Sequence, residues 1–140
     1  MTICMSGPHA VGPAIGDPEE ATATTTTPQL VTGRLLAVTV FTDSAADDPR
    51  LVLKTQGTAS GAIPQQTLTT LLGLGGASPK TFDISIVARQ PGTYSVSYFY
   101  ATDDRYRVTR PGQYVWDRIE ITIDQMLPND TASVWLWVEG

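Results

Sequence analysis

The chain has 140 residues, 41% hydrophobic and only 16% charged, with 14 acidic against 9 basic side chains and a net charge of −5. That length buries one real core. The acidic balance, with Lys54 and Lys80 the only lysines, excludes a phosphate-backbone binder, whose affinity comes from clustered Lys and Arg.

Residues 1–29 hold Gly7, Gly12, Gly16, Pro8, Pro13, Pro18 and Pro28 and no aromatic residue. Proline removes a backbone donor and glycine enlarges the unfolded ensemble, so neither a helix nor a central strand is favoured here. Val11 and Ile15 are too few to offset ordering costs of ~1–2 kcal/mol per residue. The expectation is an extended N-terminal arm over 1–29 ahead of a folded domain over 30–140. The β-permissive run Ala21, Thr22, Ala23, Thr24, Thr25, Thr26 and Thr27 is then a partner-binding strand, free to join the sheet of another subunit; the alternative is a solvated linker. Cys4 is the one cysteine, so no disulfide forms within the chain. The opening MTICMSGPHAVGPAIG lacks the basic start and apolar run of a secretory signal, so synthesis and folding in the cytosol are expected. No stretch has the ~20 apolar residues of a membrane helix.

From Leu30 onward the pattern is that of strands. LVTGRLLAVTVFT is apolar on both sides, Leu35, Ala37, Thr39 and Phe41 against Leu36, Val38 and Val40, as in a strand buried between layers. SAADDPR is a turn and LVLKT a short strand. Pro64, with Leu68, Leu71 and Leu72 at helical spacing and Gly73 to stop it, predicts one short helix near 64–72. KTFDISIVAR, GTYSVSYFYAT, QYVWDRIEITID and ASVWLWVEG then alternate with a period of two between Pro-Gly and Pro-Asn turns. The fold class is therefore all-β, an antiparallel β-sandwich.

QPGTYSV, residues 90–96, resembles the tyrosine corner of immunoglobulin-like sandwiches, with Gly92, Tyr94 and Val96 at the Gly-x-Tyr-x-Cys spacing and valine in place of cysteine. The resemblance implies Ig-like topology, in which Tyr94 opens the penultimate strand. Jelly rolls use similar Pro-Gly-x-Tyr turns and are the alternative.

Catalytic chemistry finds little support. His9 is the only histidine and lies among glycines and prolines, far from the fixed cleft that a nucleophile–base pair needs. GLGGAS lacks the lysine and flanking elements of a phosphate loop. Asp43, Asp47 and Asp48 share a loop that a hard cation could visit, yet they match no EF-hand. Neither an enzyme nor a cofactor is expected. The remaining candidates are surface aromatics: Tyr106, Tyr114, Trp116, Trp135 and Trp137, which stack sugars or anchor a protein partner when exposed. Large aromatics are usually buried, so at least two of the three tryptophans are expected in the core. If Trp135 and Trp137 face away from it, their strand should be covered by another chain.

A low-charge sandwich led by an arm resembles the capsid decoration and head-fibre proteins of tailed phages. The resemblance implies a non-enzymatic structural protein of the virion, made in the host cytoplasm, homo-oligomeric and docked by its arm on neighbouring protein subunits. The alternative is a carbohydrate-binding or adhesin module that takes a glycan on its aromatics.

Overall fold

The computed structural model describes residues 3–58, 60–61, 64–74, 78–83 and 113–139. Among them are nine strands and no helix: β1 (Ile3–Val11), β2 (Ala21–Thr26), β3 (Val31–Thr42), β4 (Arg50–Thr55), β5 (Thr67–Leu71), β6 (Lys80–Asp83), β7 (Gln113–Asp117), β8 (Ile119–Met126) and β9 (Ala132–Glu139). They form two antiparallel sheets packed together as a β-sandwich. The first runs β1-β9-β3-β6, and the second β2-β8-β4-β5. The C-terminal half of β3 pairs β6, and its N-terminal half pairs β7.

The core follows from the alternation. Val134, Leu136 and Val138 of β9 face Ile119, Ile121 and Ile123 of β8, and all are buried. Leu51 and Leu53 of β4 extend the layer, each fully buried, and burial of side chains this size contributes about 1.5–3 kcal/mol apiece. In β3 the faces divide differently from a strict period of two. A register shift between Leu35 and Ala37 inserts one residue and reverses parity, so that Leu35 joins Val38 and Val40 in the core.

Residues 3–26 are not an arm separate from a 30–140 domain. β1 pairs β9 in the first sheet, and β2 pairs β8 in the second. The link between them is clipped to the turn before β9: the Ala14 N–H donates to the Asp130 carbonyl at 2.9 Å, and the Asn129 N–H to the Ala14 carbonyl at 2.8 Å. Val11, Ala14, Ala21 and Ala23 are buried. Side-chain hydrophobicity understates such a segment, because its backbone groups are satisfied by the edges of β9 and β8, which would otherwise stand open. Thr22, Thr24, Thr25 and Thr26 therefore belong to a strand of this chain's own sheet. Thr27 is buried at the strand's end, where its N–H donates to the Ile119 carbonyl at 2.9 Å and its Oγ1 accepts the Ile119 N–H at 3.0 Å.

The expected helix near 64–72 is absent. Thr67–Leu71 is β5, paired with β4. Leu68 and Leu71 are buried as a helix would also require, but Leu72 is 56% exposed, and unfilled edge positions on β4 favour the strand. The tyrosine-corner residues Gly92, Tyr94 and Val96, and Tyr106, lie outside the described residues, as does the choice between Ig-like and jelly-roll topology that rested on them.

Candidate functional site

The two outer faces of the sandwich differ in chemistry. On the second sheet, Thr24 stands opposite Thr122 and Thr26 opposite Glu120, with Lys54 across from Glu120 on the other side. The Thr24 and Thr122 hydroxyls lie 3.1 Å apart, and the Arg50 guanidinium grips Asp124 through Nε at 3.1 Å and Nη2 at 2.6 Å. That face is built for water.

The outer face of the first sheet is aromatic. Trp135 and Trp137 alternate with the buried valines and leucine of β9, so both point away from the core and are half-buried against their neighbours. Register sets Thr39 opposite Trp135, and Ala37 and Met5 on either side of Trp137. The Trp137 Nε1–H donates to Thr39 Oγ1 at 2.8 Å, and Thr39 Oγ1 lies 2.8 Å from Thr81 Oγ1. Thus the indole's polar atom is satisfied within the sheet, and its apolar rim remains outward. Arg34 and Glu139, opposite one another in register, form an ion pair whose side chains are only 11% and 13% exposed. The two charges next to Trp137 along β9 and β3 therefore neutralise each other.

Trp116 is the most exposed of the three at 79%. The chain changes sheets at Arg118, between β7 and β8, which turns Trp116 outward while Val115 and Ile119 enter the core. Asp117 fixes this corner: its carboxylate accepts the Gly57 N–H at 2.9 Å and the Arg118 N–H at 2.7 Å. A notch of about 190 Å³ lies beside the indole, lined by Leu30, Gly57, Thr58, Trp116 and Asp117. Leu30, Ile3 and Met5 are 57%, 56% and 50% exposed, so apolar surface continues from Trp116 across the end of the sandwich to β1.

The expectation that two tryptophans fill the core is therefore corrected: Trp116, Trp135 and Trp137 all lie on the outer side of one sheet. The backbone of Tyr114 stands opposite Arg34. Asp43, Asp47 and Asp48 do not converge; among the described residues, no group of His, Cys, Asp and Glu could hold a metal ion. Nor is any described helix long and apolar enough to cross a membrane.

Sequence reasoning set His9 aside, yet it joins Ser6. The two lie on one face of β1, with Ser6 Oγ 2.9 Å from His9 Nε2, because a register shift between them restores the parity that three residues would break. They edge a groove of about 450 Å³ walled by residues 27–31. Among the described residues no carboxylate orients the ring, so the pair lacks the third member that a nucleophilic triad uses. Burial lowers the His9 pKa below 6.5. The unfolded chain therefore takes up the proton first on acidification. Stability should be level above pH 6.5 and fall as the pH drops towards the folded-state pKa. The single imidazole Hε1 resonance should titrate below 6.5, and His9→Gln should remove that step from the pH dependence of unfolding.

No protein-family model, curated protein or solved structure matches this chain.

Proposed function

We propose that the chain is a non-enzymatic structural subunit that docks on other protein subunits through the outer face of its first sheet. The observation that carries this is the asymmetry of the sandwich, threonine and charge on one side and three tryptophans on the other. Interface cores are enriched in Trp and Met and depleted in charge, and beside Trp137 Arg34 and Glu139 neutralise each other. Aliphatic Leu30, Ile3 and Met5 beside the indoles suit a protein partner better than a sugar, which needs polar groups around its stacking rings. The notch beside Trp116 has room for one apolar side chain. A virion shell is the concrete setting that the architectural resemblance implies. Docking by a free arm forms no part of the proposal, since β1 and β2 are strands of the same sandwich.

The glycan alternative draws on the 79% exposure of Trp116. A photo-crosslinking residue placed at 116, at 30 or at 122, in protein expressed in its native setting, separates the two. Covalent capture of the same protein species from 116 and 30, with none from 122 on the threonine face, is expected. Equal capture from all three positions overturns the proposal. So does binding on a glycan array that Trp116→Ala abolishes at unchanged melting temperature.

A further inference from the structure

We infer that two copies of this chain pair edge to edge through the first half of β1, joining their first sheets across a two-fold axis. The inference rests on the edge of β1 and not on the tryptophans, although Ile3 and Met5 border both surfaces. β1 gives one edge to β9, and among the described residues nothing pairs with the other. Natural sandwiches guard such edges with charges, prolines or bulges. On the opposite rim, β6 carries Lys80 and Asp83, and β7 carries Asp117. In β1 the second half is guarded by Pro8 and by the register shift between Ser6 and His9. Residues 3–6 have no guard: Ile, Cys, Met and Ser, with no charge anywhere in the strand. Beneath β1 in the second sheet lies β2, ATATTT, an edge strand equally free of charge. Two such sides meet without electrostatic repulsion in a molecule of net charge −5.

A second copy is the occupant that symmetry favours, since an antiparallel edge is complementary to itself about a two-fold axis. Rotation about an axis normal to the sheet keeps every side chain on its own face. Residues opposite one another must therefore share a face, and their numbers must sum to an even value. Within residues 3–6 that allows Cys4 opposite Cys4 of the second copy, or Met5 opposite Met5. The Met5 register brings Gly7, where the guarded half begins, opposite Ile3. The Cys4 register keeps the pairing inside the unguarded run. It also sets Ile3 beside Met5 of the second copy, covering two of the most exposed apolar side chains. An interface this small belongs to the weak class, below ~1,200 Å².

Sedimentation equilibrium of the full chain under reducing conditions, from low micromolar to near-millimolar concentration, tests the inference. A reversible dimer is expected. Cys4→Ser should leave it intact, and two lysine variants should each weaken it at least ~10-fold: Cys4→Lys by setting like charges directly opposite one another, and Ile3→Lys by replacing the apolar contact with Met5 of the second copy by a charge. Both positions are exposed, and near-ultraviolet circular dichroism checks that the variants fold. Mild oxidation with copper phenanthroline should trap a disulfide-linked dimer, which the single cysteine can form only between chains. A monomer throughout, lysine variants that associate like the parent, or a dimer that oxidation fails to link would each overturn it. Trp116→Ser should leave the dimer unchanged; loss of association there would place the contact on the face instead of the edge.

Discussion

A chain lacking residues 1–29 is expected not to fold. The deletion removes β1 and β2, one edge strand from each sheet. It takes away the buried Val11, Ala14, Ala21 and Ala23, and it opens the flanks of Val134, Leu136, Ile121 and Ile123, all fully buried. Lost apolar burial alone is several kcal/mol at about 25 cal/mol per Å². The backbone groups of β9 and β8 that pair β1 and β2 would then need water or another chain. Against a total stability of about 5–15 kcal/mol for a domain, the loss is decisive, and two newly exposed apolar edges favour aggregation. The truncated protein should accumulate as insoluble material, or show no cooperative thermal transition by circular dichroism. A soluble truncated protein melting within a few degrees of the full chain would show that the N-terminal strands are accessory.

That expectation reverses what composition suggests, and the reason is physical. β8 and β9 are legible because each carries its own instruction: branched apolar residues every second position, bounded by turns. β1 and β2 carry almost none. Ala21 and Ala23 are buried because small side chains fit where the two sheets close at their rim, and their partners lie about a hundred residues away in sequence. Long-range backbone pairing leaves no local periodicity to read. The same limit explains Thr67–Leu71, where three leucines satisfy a helix or a strand and only the open edge of β4 decides. It also explains the candidate site. Trp135 and Trp137 are readable as sharing a face, and Trp116 as standing on a polar one. That all three belong to the outer side of one sheet depends on the chain changing sheets at Arg118 and on the register of β3 with both β7 and β9. The Ser6–His9 contact depends on a bulge, which period counting assumes away.

Gly33→Ala should be among the most damaging single substitutions, although Gly33 is an unremarked residue in a long apolar strand. Its φ is +127°, a conformation that L side chains rarely adopt, and a Cβ there would stand 2.4 Å from the Glu139 carbonyl oxygen and 2.9 Å from Val138 Cγ1. Backbone strain contributes about 1–3 kcal/mol, and overpacking about the same again. The alternative is to push the end of β9 away from β3, which separates Arg34 from Glu139 and leaves a nearly buried charge unpaired. Taken together, a loss of about 3 kcal/mol and a fall of ~10 °C in melting temperature are expected. Gly61→Ala supplies the control: φ there is +78° and nothing lies within 4 Å of its Cβ, so strain acts alone, at about 1 kcal/mol. If the two variants melt together, steric overlap at the β3–β9 crossing is not what demands glycine at position 33. The strand ends that carry Arg34, Glu139 and Trp137 must then be able to part at little cost.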